Sequence, residues 1–85
     1  MAGKAAKTAG LLVAATGAAH FAAPQLFENL SASLFPEDTR SWVYRNGATE
    51  VALGAAIVGR RTRKLGVVGL LAYGGWLASR AAAQR

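Results

Sequence analysis

Two side chains that can exchange protons, His20 and Glu50, stand in otherwise apolar stretches of the sequence. Glu50 lies in a glycine- and alanine-rich run over residues 46–59, and His20 lies in the uncharged stretch over residues 8–27. A charged carboxylate at membrane depth costs roughly 2.5 to 3.5 kcal/mol and needs a partner or a proton. A histidine beside a carboxylate can pass protons near neutral pH or hold a polar headgroup. These two residues therefore form the centre of a candidate polar site.

Each residue of this site also has a purely structural interpretation. Glu50 is either a proton-exchanging or ligand-binding carboxylate inside a helix bundle, or a neutral or paired acid that hydrogen-bonds neighbouring helices. Asn46 shares its helix face four residues earlier, so a contact between them is feasible, whereas a salt bridge with Arg45 is disfavoured. A rise of about 1.5 Å per residue places His20 near the depth of Glu50. A histidine near a helix end is also typical of an interfacial residue.

The composition limits the class of protein. The chain has 85 residues, no cysteine, one histidine and four acidic residues, so a disulfide is impossible and a metal site is hard to assemble. A soluble domain of this size buries too little surface to be stable without such support. Hydrophobic residues make up 53% and charged residues 16%, with the charges in blocks between apolar runs. This pattern predicts an all-α integral membrane protein with no cofactor.

The apolar runs predict a single membrane domain over residues 1–85, folded as a partial, open helix bundle. Its predicted segments are three short transmembrane helices at about residues 8–23, 37–58 and 65–79, an interfacial amphipathic segment at residues 25–35, and a basic turn at residues 59–64. Pro24 ends the first helix, Pro36-Glu37-Asp38 forms the first turn of the second, and Gly59 caps its end. The third helix is short for a span, and extension through Ala83 would lengthen it. A cleaved signal peptide is the disfavoured alternative for the first segment.

The basic residues set the predicted orientation. Lys4, Lys7 and the basic turn fall on one side, and the acidic first loop falls on the other, so the N-terminus is predicted to be cytoplasmic. The basic side chains of the turn either bind anionic lipid headgroups or only determine topology; they are Arg60, Arg61, Arg63 and Lys64. The aromatic residues expected to anchor the helices at the interface are Trp42, Tyr44, Tyr73 and Trp76.

Glycines recur along all three predicted spans. Small residues let membrane helices approach closely, so the glycines are predicted to be helix-packing positions. An alanine- and glycine-rich composition alone is the other explanation. The positions are Gly10 and Gly17 in the first span, Gly47 and Gly54 in the second, and Gly66 and Gly69 in the third, where Gly74 also belongs to the stripe.

Three motifs can be compared with known families. They are Gly17-Ala18-Ala19-His20-Phe21 followed by Pro24 and Phe27, the run from Tyr44 to Gly54, and Arg61-Thr62-Arg63-Lys64-Leu65-Gly66. This succession resembles the DoxX-like family of small bacterial membrane proteins over about residues 17–76. The resemblance implies a link to respiratory or quinone-dependent redox systems, in which relatives are small subunits. Relatives usually have four transmembrane helices, so it also implies that a second copy or a larger complex covers an open face.

We therefore expect a small accessory or structural subunit of a larger bacterial membrane complex. The alternative is a homo-oligomeric small transporter or channel-like protein that uses Glu50 as an intramembrane proton or cation site. The expected partners are membrane lipids and other membrane subunits or further copies, with a quinone or lipid as the ligand class. An enzyme is not expected, because the chain has no cysteine nucleophile and one histidine. A nucleic-acid partner is disfavoured because the basic residues form no continuous face.

Overall fold

The computed structural model describes residues 2–84, which fold into four α-helices with no strand among them. The helices are α1 (Ala2–Ala22), α2 (Pro24–Ser31), α3 (Thr39–Val58) and α4 (Arg63–Ala83). The predicted all-α class is therefore confirmed. α1, α3 and α4 contain 21, 20 and 21 residues, which correspond to lengths of about 30 Å each.

The helix ends depart from the predicted bounds at several places. α1 begins at Ala2, before the predicted start at residue 8, because alanine and lysine near the N-terminus are good helix formers. Its end at Ala22 agrees with a break at Pro24, which is the first residue of α2. α2 ends at Ser31 and not at residue 35. α4 continues through Ala83, which supplies the length that the predicted third span lacked.

The predicted start of the second long helix is wrong. Pro36 and Glu37 precede α3, and no acidic residue lies in its first turn. Asp38 is the N-cap residue with a left-handed φ of 55°, and its side chain makes no capping hydrogen bond. A proline can open a helix only when the residues after it remain helical, and the left-handed backbone at Asp38 interrupts that path. Gly59 is the C-cap residue of α3, as the sequence indicated.

The long helices pack side by side around α3. α1 runs antiparallel to α3, because Gly10 meets Gly54 and Gly17 meets Gly47. α4 also runs antiparallel to α3, since Gly66 meets Ile57 and Gly69 meets Leu53. α1 and α4 therefore run parallel, and within the described residues no Cα atom of one lies within 8 Å of a Cα atom of the other. The Cα atoms span 40 × 27 × 16 Å, so the helices form a nearly flat layer that is open on the side between α1 and α4.

The glycine contacts between α1 and α3 bring the two backbones together. A Cβ atom at Gly17 would lie 2.6 Å from the Gly47 carbonyl oxygen, and one at Gly54 would lie 2.5 Å from the Gly10 carbonyl oxygen. Gly66 and Gly69 of α4 face Ile57 and Leu53 of α3 in the same way. The structure thus places all six predicted packing glycines at helix contacts. Gly74 differs, because a Cβ atom there would meet nothing within 4 Å.

The basic turn between α3 and α4 makes hydrogen bonds to the end of α3. Thr62 Oγ1 donates a hydrogen bond to the Ala56 carbonyl oxygen at 2.7 Å, and Arg63 Nε donates one to the Ile57 carbonyl oxygen at 2.8 Å. An Arg63 terminal nitrogen donates a further bond to the Val58 carbonyl oxygen at 3.3 Å. The last carbonyl groups of a helix have no partner inside the helix. This turn therefore caps α3 with its own side chains.

An aromatic cluster of Phe35, Trp42 and Trp76 holds Arg80 at the opposite end of the layer. The Arg80 guanidinium carbon lies 4.4 Å from the centroid of the Phe35 ring and 5.8 Å from that of Trp76. Its Nε and one terminal nitrogen donate hydrogen bonds to the Leu34 carbonyl oxygen at 3.1 and 3.0 Å. Cation–π contacts and charged donors together fix the loop before α3 against the last part of α4.

Most apolar side chains lie on the surface. Among the described residues the buried apolar side chains are Phe35, Val43 and Ile57, whereas the polar His20 and Asn46 are each only 5% exposed. The total accessible area is 5664 Å², whereas a water-soluble protein of 8.8 kDa exposes about 4,800 Å². Large areas of exposed apolar side chains are typical of a protein surface that faces lipid or a partner.

The long helices differ in apolarity. By length and composition, α4 is the one described helix that could cross a membrane alone, with a mean hydropathy of 1.2. α1 reaches the length and apolarity of a span only when it is taken together with α2, whose axis is bent from that of α1 by 101°. α3 does not reach it, because Arg45, Asn46 and Glu50 lower its hydropathy. The sequence interpretation of three spans stays a prediction.

Candidate functional site

Side chains from all three long helices meet at Glu50. Glu50 lies in the middle of α3, His20 lies in the last turn of α1, and Tyr73 lies in the middle of α4. The His20 Nε2 atom is 3.7 Å from Glu50 Oε2, and the Tyr73 hydroxyl donates a hydrogen bond to the same oxygen at 2.8 Å. The close backbone approach of α1 and α3 at Gly17 and Gly47 makes this meeting possible. The three residues form the polar cluster.

The hydrogen bonding of His20 fixes where its ring carries a proton. His20 Nδ1 lies 2.8 Å from the Thr16 carbonyl oxygen, which can only accept a hydrogen bond. Nδ1 therefore carries a hydrogen, and Nε2 is the ring nitrogen left for another partner. That nitrogen faces Glu50. A separation of 3.7 Å is too long for a direct hydrogen bond, and an approach of about 0.8 Å would make one.

The bent helix α2 covers the histidine. The Phe27 ring of α2 stacks on the His20 ring with centroids 3.7 Å apart and an interplanar angle of 20°. The Pro24 break makes this contact possible, because it turns the chain back at 101° directly after α1. The His20 side chain is 6% exposed, whereas that of Glu50 is 15% exposed. The cluster is thus closed on the histidine side and partly open on the glutamate side.

Glu50 opens into the α1/α4 groove, a crevice of about 410 Å³ between the two parallel helices. The groove is lined by Leu12, Val13, Thr16, Glu50, Leu70, Tyr73, Gly74 and Leu77. Both observed contacts of Glu50 use Oε2, and within residues 2–84 no fully buried side-chain oxygen or nitrogen lacks a partner. Oε1 is therefore accessible from the groove. The result is an apolar groove with one open carboxylate oxygen at its base.

The predicted polar site was His20, Asn46 and Glu50. The structure brings His20 and Glu50 together and buries Asn46 nearby, but Asn46 makes no hydrogen bond to Glu50 within the described chain. The two side chains leave α3 four residues apart, and that of Glu50 is engaged by Tyr73 and His20 instead. Glu50 forms no ion pair with Arg45, whose guanidinium carbon lies 4.9 Å from the centroid of the Trp42 ring.

Tyr73 is the site residue that the sequence interpretation missed, because it placed Tyr73 among the interfacial anchors. A signal for it was present. Glu50 precedes Gly59 by nine residues and Tyr73 follows Arg63 by ten, so both lie about 14 Å from the turn. Equal distance from a tight turn places two residues side by side in antiparallel helices. Trp76, three residues further on, does join the aromatic cluster.

The polar cluster can hold or move one proton between an imidazole nitrogen and a carboxylate oxygen. It can also receive a hydrogen-bond donor from the groove at Oε1 of Glu50. Among residues 2–84 no three histidine, cysteine or acidic side chains lie close enough to bind a metal ion. The chemistry that these side chains offer is therefore proton exchange and hydrogen bonding.

The comparisons with known proteins identify a family. Residues 9–83 match the family described as a domain of unknown function (DUF8561). The chain belongs to this family. The match covers α3, α4 and all but the start of α1, so the polar cluster and the groove lie inside the DUF8561 domain. No curated protein and no solved structure matches the chain.

Proposed function

We propose that this DUF8561 protein is an accessory subunit of a bacterial membrane complex and seats a transmembrane helix of an unlike subunit in the α1/α4 groove. In this proposal α1, α3 and α4 cross the cytoplasmic membrane, α2 lies at the outer interface, and the N-terminus is cytoplasmic. The protein contributes no catalytic residue of its own. The supporting observation is the groove itself, with apolar walls and an open carboxylate oxygen at its base.

The surface chemistry supports a membrane location. α4 meets the length and apolarity of a span, and only 6% of its apolar window is buried within the chain. Leu65 and Leu71 are 74% and 72% exposed. The core helix of a soluble protein would bury such residues. The charges of α3 stand at its outer end or inside the layer: Arg45 lies over Trp42, and Glu50 bonds Tyr73.

The groove fits a helix because its walls are two parallel helices whose backbones stay more than 8 Å apart between Cα atoms. A third parallel rod between α1 and α4 would cover the open side of the layer and complete a four-helix arrangement. Members of the DoxX-like family, which the sequence resembles, usually have four transmembrane helices, and this arrangement would have the same number. A donor side chain on the incoming helix would satisfy Oε1 of Glu50, a group that is costly to leave unpaired in lipid.

A second candidate function rests on a different observation. His20 presents its Nε2 atom to Glu50 Oε2 at 3.7 Å, so the pair can relay a proton. This favours a homo-oligomeric transporter or channel-like assembly with Glu50 as its proton or cation site. The two functions differ in their partners, since an accessory subunit needs an unlike chain and the oligomer needs only copies of itself.

Filling the groove distinguishes these functions with a matched pair of variants. Gly74 and Gly75 are adjacent on α4, and a Cβ atom at either would meet nothing within 4 Å, but Gly74 alone of the two lines the groove. We expect Gly74→Leu to remove the unlike subunit and Gly75→Leu to retain it, with the fold of both preserved. The measurement is extraction of the tagged protein in a mild detergent, followed by native mass spectrometry and identification of the co-purifying chains.

Each result of this experiment has a clear meaning. A stoichiometric complex with an unlike chain that Gly74→Leu alone disrupts supports the accessory subunit. A homo-oligomer without unlike chains rejects it and favours the proton-site alternative. Retention of the unlike chain by both variants would show that the partner binds outside the groove. A small molecule released only from the unmodified protein would identify a lipid or quinone-like occupant instead of a helix.

A further inference from the structure

At the end of the layer that carries the basic turn, the chain forms a basic pocket of about 490 Å³. Its lining residues are Gly3, Lys4, Lys7, Arg60 and Arg63. The lysines come from the start of α1, and the arginines come from the turn and the start of α4. The sequence interpretation grouped the arginines with the basic turn only. The fold adds two further cations from a distant part of the chain.

The pocket has no negative charge to balance its cations. The chain has four acidic residues: Glu28, Glu37 and Asp38 stand at the opposite end of α3, and Glu50 stands in its middle. None of them lines the pocket. Lys4, Lys7 and Arg60 are exposed, so their charged groups are available to a ligand. Four cations around one concavity favour an anionic ligand.

Arg63 is held in a fixed orientation. It donates hydrogen bonds to the Ile57 and Val58 carbonyl oxygens, which use two of the five N–H donors of a guanidinium group. The remaining donors belong to a planar group whose position the end of α3 determines. Arginine matches the oxygen geometry of phosphate, and a fixed arginine loses less side-chain entropy when it binds.

The apolar surface next to the pocket indicates how the anion is presented. Exposed aliphatic side chains begin directly beyond the cations on both helices, with Leu11 at 56% and Leu12 at 64% on α1 and Leu65 at 74% on α4. A molecule with a charged head and an apolar tail would contact both surfaces together. Basic pockets between membrane helices on the cytoplasmic side bind phosphorylated lipid headgroups.

We propose that the basic pocket is a phosphate-binding site that takes the headgroup of an anionic phospholipid. This inference rests on the membrane location given under Proposed function, but it is independent of what occupies the α1/α4 groove. The shared chemistry is a phosphate group, which a lipid headgroup or free phosphate could supply. The adjacent leucines favour the lipid.

Two double variants with the same change in charge test the pocket. Lys4→Gln with Arg60→Gln removes two cations that line the pocket, and Arg61→Gln with Lys64→Gln removes two that do not. Arg63 is left unchanged because it caps α3. The purified full chain is mixed with phosphatidylglycerol, phosphatidylcholine or inorganic phosphate, and the retained ligand is measured by native mass spectrometry. Resistance of the chain to alkaline carbonate extraction is scored separately on its native membranes.

We expect the unmodified chain to retain phosphatidylglycerol in preference to phosphatidylcholine. In the pocket variant, Lys4→Gln with Arg60→Gln, the ratio of retained phosphatidylglycerol to retained phosphatidylcholine should fall by about tenfold or more. In the control variant, Arg61→Gln with Lys64→Gln, this ratio should change little. An equal loss of lipid preference in both variants, or equal retention of both lipids by the unmodified chain, would overturn the proposed phosphate site. Retention of inorganic phosphate without lipid would keep the phosphate site and reject the lipid as its source. Extraction by carbonate would reject the membrane location and this inference with it, whereas a carbonate-resistant chain without lipid preference rejects the inference alone.

Discussion

The variant Gly54→Ala is expected to destabilise the fold, although alanine is the better helix former. Glycine to alanine inside a helix ordinarily gains up to about 1 kcal/mol. At Gly54 the added Cβ atom would lie 2.5 Å from the Gly10 carbonyl oxygen and 2.8 Å from the Ala14 Cα atom. Both are backbone atoms and cannot rotate away. Overpacking of this kind costs about 1 to 3 kcal/mol, so α1 and α3 must separate.

Gly75→Ala is the matched control for this prediction. It makes the same chemical change inside α4, where the added Cβ atom meets nothing within 4 Å. Thermal unfolding of both variants in detergent micelles, followed by circular dichroism, should show a lower midpoint for Gly54→Ala and an unchanged or higher midpoint for Gly75→Ala. Equal midpoints would mean that α1 and α3 do not pack through these glycines.

The second large effect is expected at Glu50, where Glu50→Gln should weaken the association with the unlike subunit. The substitution keeps the size of the side chain and replaces one carboxyl oxygen with an amide NH2 group, which cannot accept a hydrogen bond. A buried hydrogen-bonding group that loses its partner costs about 1 to 3 kcal/mol, which corresponds to roughly a fivefold to hundredfold loss of affinity. The measurement is the fraction of unlike subunit retained after extraction. Glu37→Gln is the control, because Glu37 is an exposed acid in the loop before α3.

A double-mutant cycle tests whether Glu50 acts together with His20. His20 Nε2 and Glu50 Oε2 lie 3.7 Å apart. Residues in contact usually show interaction energies of about 0.5 to 3 kcal/mol. We expect Glu50→Gln and His20→Gln to be clearly non-additive in subunit retention. Strict additivity of the two effects would show that His20 is only an enclosed interfacial residue stacked on Phe27.

The sequence predicted those features that depend on local pattern. Apolar runs, Pro24 and Gly59 were sufficient to predict the all-α class, the first break and the end of α3. The start of α3 was predicted wrongly because the left-handed backbone at Asp38 is set by the loop around it, whose Phe35 packs with Trp42 and Trp76. No local pattern encodes such a contact between distant parts of the chain.

The polar cluster was likewise predicted in part and missed in part. His20 and Glu50 were expected at a similar depth, and the structure brings them within 3.7 Å of each other, because depth along antiparallel helices can be counted from the sequence. Tyr73 was missed because the sequence interpretation grouped it with Trp76 among the interfacial anchors. In the structure Tyr73 lies in the middle of α4. The basic pocket also escaped prediction, since Lys4 and Arg60 are distant in sequence and meet only when α1 packs against α3.

The most direct test of the central claim is the accessibility of Leu71 to water. The chain has no cysteine, so Leu71→Cys places a single thiol on an α4 position that is 72% exposed in the isolated chain. Arg61→Cys places one on the basic turn as the control. Both variants are first treated with a membrane-impermeant maleimide in native membranes whose cytoplasmic face is open to the reagent. The treatment is repeated after the membranes are dissolved in denaturing detergent. A membrane-embedded subunit predicts that Cys at 61 reacts at once and Cys at 71 reacts only in detergent. Rapid labelling of both positions in the native preparation would place α4 in water and contradict the membrane location.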